Sequence, residues 1–210
     1  FIYKNKKLQK NKNKIINISK PLPKINKSIK FFSLDDGKHQ FKLVFAGKNK
    51  IIGKSLNTFN LRPAKGLNIP LSIYDEKLQN KSYLDFLIKC KKINFNAIGL
   101  SYIQSDKIIS KIKNKFKNKL IVSKIENFEG LKNSNEIIKA SDFVMIDRGD
   151  LAAEIGNKNL FTAINNIATV SKKYNKPLIM ATENLNNMIT NLQPTKSEII
   201  SLEYSKLVGT

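Results

Sequence analysis

Two stretches decide the fold: Leu120-Ile121-Val122-Ser123-Lys124-Ile125-Glu126-Asn127 and Phe143-Val144-Met145-Ile146-Asp147-Arg148-Gly149-Asp150. Each opens on a short apolar run and ends in polar or charged residues. Runs this short and this apolar read as strands buried on both faces, the habit of a parallel sheet. The rhythm continues outward. Ala97-Ile98-Gly99-Leu100 runs into Ser101, and Pro177-Leu178-Ile179-Met180 runs into Ala181-Thr182-Glu183-Asn184. Helical segments are expected from Glu76 to Ile93, from Ser105 to Phe116 with Ser105 or Asp106 as cap, and from Asn133 to Lys139. Others are expected from Lys158 to Tyr174, from Glu183 to Ile189 and from Pro194 to about Leu207. Strands alternating with helices predict βα units. A closed barrel and an open doubly wound sheet share that local pattern, so the polar strand ends must decide. In (β/α) barrels the C-terminal strand ends build the active site, and here four successive strands end in polar residues.

Upstream the pattern differs. Residues 1–20 are dominated by Lys and Asn, with a brief strand signal at Ile15-Ile16-Asn17-Ile18, and Pro21 and Pro23 then break any helix. From Ile29 to about Phe59 short apolar runs alternate with turns. Ile29-Lys30-Phe31-Phe32 leads through Asp35-Asp36-Gly37 to Phe41-Lys42-Leu43-Val44-Phe45, then through Ala46-Gly47-Lys48 to Ile51-Ile52. An Asp-Gly step between apolar runs is a hairpin signal, so a small antiparallel β module is expected. The chain is therefore divided into a β module over residues 1–72 and an α/β domain over residues 73–210.

Composition narrows the classes. A length of 210 residues and 41% hydrophobic content suit a packed core. No apolar run approaches the ~18 to 20 residues of a membrane span, and the first residues do not read as a signal peptide. The chain begins at Phe1 without an initiator Met, so a fragment is expected. The one cysteine, Cys90, excludes an intrachain disulfide and fits a reducing cytoplasm. The one histidine, His39, excludes a His-cluster zinc site. Thirty-eight basic against 16 acidic residues give a net charge of +22, a balance that suits nucleic-acid binding. Only Arg62 and Arg148 are arginines, however, and the lysines are dispersed among Asn and Ile along the whole chain. Arginine is the residue of bidentate phosphate and base contacts, and dispersed charge is a weaker signal than a patch. Nucleic acid is therefore not the expected partner.

The candidate residues read ambiguously one at a time. Lys124 and Glu126, two apart on an extended segment, point to one side. They fit either an ion pair at a strand end or a site that handles phosphate and metal together. Asp150 fits either a helix N-cap or a hard-metal ligand beside backbone N–H groups that hold an anion, and Gly149 lets a ligand approach the backbone. Thr182 fits a cap as readily as a catalytic hydroxyl.

In combination these segments resemble the pyruvate kinase family. Ile121 to Asn127 with Glu129-Gly130 resembles that family's strand-five motif. Ala140-Ser141-Asp142, Arg148-Gly149-Asp150-Leu151 and Glu154-Ile155 resemble its strand-six motif. Lys176-Pro177, Ala181-Thr182, Met188-Ile189, Pro194-Thr195 and Glu198 resemble its strand-seven region. Lys65-Gly66-Leu67-Asn68-Ile69-Pro70 resembles the segment where a nucleotide-covering β lid rejoins the barrel. The resemblance runs from about Ile16 onward. It implies an α/β chain: part of a (β/α)8 TIM barrel, strands four to seven, with part of an antiparallel β-barrel lid.

The resemblance also implies roles. Lys124 would stabilise charge on the transferring phosphoryl group and the enolate. Glu126 and Asp150 would bind Mg²⁺ (or Mn²⁺). Gly149 and Asp150 would hold the substrate carboxylate through backbone N–H groups. Thr182 would lie on the protonation side of the enolate. Lys65 would contact nucleotide phosphates. The reaction would convert phosphoenolpyruvate and ADP to pyruvate and ATP, in a cytoplasmic homotetramer. The family's first three barrel strands, with a phosphate-binding arginine and the K⁺ ligands, lie outside the matched segment, as do strand eight and a regulatory domain. Departures are Gln104 for a basic residue, Asp147 for a small one, and Glu183-Asn184 for Gln-Met. The match is poor from Ile200 to Val208. Two other readings compete: a related phosphoenolpyruvate or pyruvate barrel lyase, and a non-catalytic basic remnant that binds nucleic acid or acidic partners.

Overall fold

The computed structural model describes residues 16–18, 21–35, 37–60 and 62–210. The chain divides into two compact units, Phe1–Asp75 and Glu76–Thr210. In the first, β1 (Phe31–Leu34), β2 (His39–Ala46), β3 (Ile51–Ser55) and β4 (Leu67–Asn68) form an antiparallel sheet in the order β3-β2-β1-β4. The expected hairpin forms, with Leu34 opposite His39 across a turn in which Asp35 and Gly37 have positive φ. Asp36 and Ile15 lie outside the described residues, and Ile16 to Ile18 join no strand, contrary to the strand signal there. Phe32, Leu34, Phe41, Ile51 and Ile69 make the core of this unit. The rings of Phe32 and Phe41 stack 5.0 Å apart across the β1–β2 pair. Apolar side chains at alternate positions of a strand gather on one face, and that supplies the core.

The second unit begins with α1 (Glu76–Lys89), whose end tightens into a 3₁₀ turn over Cys90–Lys92. It continues through β5 (Ala97–Leu100), α2 (Lys107–Lys115), β6 (Leu120–Ile125), α3 (Phe128–Lys132) and α4 (Ser134–Ala140). Then follow β7 (Phe143–Asp147), α5 (Arg148–Ile155), α6 (Asn157–Lys173), β8 (Leu178–Ala181) and α7 (Lys196–Leu207). The four strands pair in parallel, in the order β5-β6-β7-β8. Each strand lies beside its sequence neighbour, and helices connect them. The second unit is thus part of a (β/α) barrel wall, and the chain has the α/β class expected for part of a barrel with part of a lid. Its core falls into two clusters. Ile98, Leu100, Ile108, Ile109, Ile112 and Ile121 pack around β5 and β6. Ile125, Val144, Ile146, Ile164, Ile167 and Leu178 pack around β7 and β8.

Three local expectations need correction. Asp150 is not the cap of its helix, because α5 starts at Arg148 and Asp150 lies inside the first turn. The residue in the cap position, Asp147, turns its side chain elsewhere and makes no capping hydrogen bond. Neither Ser105 nor Asp106 caps α2: Asp106 makes no cap bond, and Ser105 Oγ donates to Glu76 Oε1. No α-helix begins at Glu183, since Thr182, Glu183 and Leu185 all have positive φ and a 3₁₀ turn forms only over Asn186–Ile189. Helix α3 went unforeseen; Asn127 caps it by accepting the Gly130 N–H at 2.7 Å.

Candidate active site

The site lies at the C-terminal ends of β6, β7 and β8. Parallel pairing sets Lys124 beside Met145 and Asp147 beside Ala181. Residues at and just past these ends therefore meet on one edge of the sheet. On β6, alternate residues Ile121, Ser123 and Ile125 are buried, and Lys124 takes the other side. Glu126, one residue past the strand, shares that side and is fully buried, so the two-residue spacing does bring cation and anion together. Lys124 Nζ contacts Glu126 Oε1 and lies 3.3 Å from Asp147 Oδ2.

Glu126 is further fixed by Tyr102, whose backbone N–H donates to Glu126 Oε2 at 2.5 Å. The Tyr102 hydroxyl donates to Asp150 Oδ1 at 2.7 Å. Tyr102 follows β5 with φ of 55°, so one residue in a left-handed conformation touches both carboxylates. Thr182 follows β8, also with positive φ. Its hydroxyl donates to Asp147 Oδ1 at 3.1 Å and accepts the Gly149 N–H at 3.1 Å. Gly149 thus spends on Thr182 the N–H assigned to a substrate carboxylate. Arg148, almost buried, holds the turn after β8. Its guanidinium donates to Thr182 O through Nε at 3.1 Å and also through Nη2. Nη2 reaches Asn184 Oδ1 at 2.6 Å and Nη1 reaches Ser201 Oγ on α7 at 2.6 Å. One side chain therefore ties the start of α5, the strained turn and α7 together, and the several charge-assisted bonds offset its desolvation.

The electrostatics follow from burial. Burial pushes the Glu126 carboxyl up to about 7; the Lys124 ammonium and the Tyr102 N–H oppose that rise, and Asp150 adds to it. For Lys124, burial favours the neutral amine, but the Glu126 and Asp147 carboxylates outweigh it and raise the pKa, so the side chain stays an ammonium. Tyr83, whose hydroxyl donates to Ser101 O, is raised by burial and by the nearby Glu126 charge. The Lys124 ammonium therefore stands firm among the carboxyl groups of Glu126, Asp147 and Asp150.

Carboxylate oxygens of Glu126, Asp147 and Asp150 all lie within 4.8 Å of one another. That is a hard-oxygen donor set of the kind that binds Mg²⁺ or Mn²⁺, so the residues present fit a divalent cation. The structure brings together Lys124, Glu126, Gly149, Asp150 and Thr182 from the expected set. Lys65 belongs to the first unit, where its Nζ pairs with Asp35 Oδ1 at 2.7 Å. Gln104, the departure after β5, donates to Gln79 Oε1 at 2.7 Å instead of presenting a charge. Sequence reasoning stopped at Ser101 and missed Tyr102; its position past an apolar strand end was the available signal. It also missed the Arg148 clamp, whose partners lie 34 to 53 residues away.

A parallel βα sheet carries a lysine and a carboxylate cluster at its C-terminal edge, the edge on which (β/α) barrels build their active sites. The sequence matches the family model of the pyruvate kinase barrel domain over residues 2–210. It is 33% identical over 184 residues to the pyruvate kinase of Eimeria tenella, covering 83% of this chain and 34% of that protein. To the pyruvate kinase of Dictyostelium discoideum it is 32% identical over 168 residues, covering 78% and 33%. A crystal structure of a pyruvate kinase from Cryptosporidium parvum superposes with a TM-score of 0.69 at 27% identity, covering 87% of this chain and 40% of that one. The chain belongs to the pyruvate kinase family. It spans about a third of the length of these curated relatives.

Proposed function

We propose that this chain is part of an enzyme that moves the phosphoryl group of phosphoenolpyruvate to ADP, giving pyruvate and ATP in glycolysis. The observation that carries the reading is the Lys124 ammonium, fixed beside Glu126, Asp147 and Asp150 at adjacent barrel strand ends. Phosphoryl transfer needs little covalent help from the protein; it needs positioning and neutralisation of spread negative charge. In the reaction the bond between phosphorus and the enol oxygen breaks, and a bond from phosphorus to the ADP terminal oxygen forms. The enolate left behind takes a proton at its methylene carbon.

Lys124 is the group that meets negative charge on the phosphoryl and enolate oxygens. Glu126 and Asp150 hold Mg²⁺ or Mn²⁺, which when bound supplies further neutralisation of those oxygens. The N-terminal turn of α5, at Gly149 and Asp150, receives the substrate carboxylate, with the Gly149 N–H handed over from Thr182 Oγ1. Thr182 then stands on the protonation side of the enolate. Lys65 is assigned to nucleotide phosphates, and the first unit to part of the lid. A K⁺ requirement, a homotetramer and a cytoplasmic location complete the proposal; the K⁺ ligands would lie outside this chain.

The test is Lys124→Met in the enzyme that contains this chain, with ATP formation followed in a coupled assay. Loss of a preorganised charge at the reacting oxygens is expected to lower kcat by about 100- to 1000-fold. Full retention of the rate would remove Lys124 from the mechanism.

A further inference from the structure

We propose that Asp147 is a positioning residue that ties Lys124 to Thr182 and trades affinity for an anionic substrate against affinity for a divalent cation. The trade rests on the function proposed above; the tie is geometric. Asp147 ends β7, and its backbone pairs in register with Ala181, which puts it next to the residue that follows β8. Its two oxygens face opposite neighbours. Oδ1 accepts from Thr182 Oγ1 at 3.1 Å, and Oδ2 lies 3.3 Å from Lys124 Nζ. The side chain is only 13% exposed, so water competes poorly for either oxygen. One carboxylate from the middle strand thus sets the heading of working groups from both flanking strands.

The same carboxylate is the third member of the oxygen cluster with Glu126 and Asp150. A unit negative charge within about 5 Å of a bound ion changes its affinity by about fivefold or more, even with water-like screening. The sign is opposite for the two ligands. Asp147 attracts a cation and repels a phosphate or carboxylate. A small uncharged side chain there would reverse both effects at once, and a loss of general packing would not, because damage to the site weakens both ligands.

The experiment compares the purified protein with Asp147→Asn, which keeps shape, and Asp147→Ala. Mn²⁺ alone is titrated by the loss of its free aqua-ion resonance in electron paramagnetic resonance, and phosphoenolpyruvate is titrated calorimetrically at saturating Mn²⁺. In both variants the Mn²⁺ Kd is expected to rise about fivefold or more and the phosphoenolpyruvate Kd to fall by a similar factor. Equal Kd values, shifts of both ligands in one direction in the Asn variant, or no Mn²⁺ binding by the parent protein would overturn the proposal. Lys124→Met separates the two readings. If it leaves phosphoenolpyruvate binding intact, or if the parent protein binds none, the functional reading fails, and the Mn²⁺ isotherms alone still decide the role of Asp147.

Discussion

A β-carbon on Gly130 would stand 2.4 Å from the carbonyl oxygen of Ile103, far inside contact distance. Gly130 also gives its N–H to the Asn127 cap, and Asn127 Nδ2 donates to the same Ile103 oxygen at 3.2 Å. The segment after β6 is therefore locked to the segment after β5 by a glycine that lets two backbones touch. Gly130→Ala is expected to destabilise the second unit by about 1 to 3 kcal/mol, as overpacking does, in urea unfolding followed by circular dichroism. An unchanged midpoint would mean that the loop after β5 yields without cost. At this scale the sequence was partly legible. Lys124 and Glu126 are two apart, so strand geometry alone placed them together. Tyr102, Asp147 and Arg148 take their partners from strands, turns and helices 23 to 53 residues away, and no local spacing reports such pairings.

Among elements, Asp142 is the joint between a helix and two strands. Standing just before β7, it accepts from Lys113 Nζ of α2 at 2.8 Å and from the Ile121 N–H of β6 at 2.8 Å. Partial burial pushes its carboxyl up, but these two donors prevail and hold the pKa below the ordinary 3.8. The folded state thus binds this proton less readily than the unfolded chain. The resulting stability is fully present above pH 3.8 and is lost as pH falls through the lower folded value. Asp142→Asn should therefore lower Tm at pH 6, and the gap from the parent should narrow as pH falls below 3.8. A gap that stays constant with pH would rule out the ionised contact. Element types were readable because short apolar strands and longer amphipathic helices differ in period. The turn after β8 was not. Thr182, Glu183 and Leu185 carry β-carbons that disfavour the left-handed region, yet all three sit at positive φ. The Arg148 guanidinium, bonded to Thr182 O and Asn184 Oδ1, is what holds them there. By contrast, α7 falls within the segment expected from Pro194 to about Leu207, and Thr195 and Glu198 close its start with a reciprocal capping box.

For the whole molecule two forces oppose each other. The parallel sheet leaves β5 and β8 as edges among the described residues, and Ile189, Leu192 and Leu207 are exposed after the last strand. Open edges and apolar patches favour association. A net charge of +22 resists it, but over distances that salt shortens, to about 10 Å at 0.1 M and about 3 Å at 1 M. The 210 residues expressed alone are therefore expected to sediment faster as NaCl rises from about 0.02 to about 0.5 M, and to form no ATP from phosphoenolpyruvate and ADP. A salt-independent monomer, or turnover by these residues alone, would contradict this. The pairing of each barrel strand with its sequence neighbour also bears on synthesis. A nascent chain emerges from its N-terminus at about 5 to 20 residues per second, slowly compared with strand and helix formation. When β6 leaves the ribosome, β5 is already available as its template, and β7 and β8 follow in turn. Among the described residues, the sheet from β5 to β8 can grow at one edge in the order of translation.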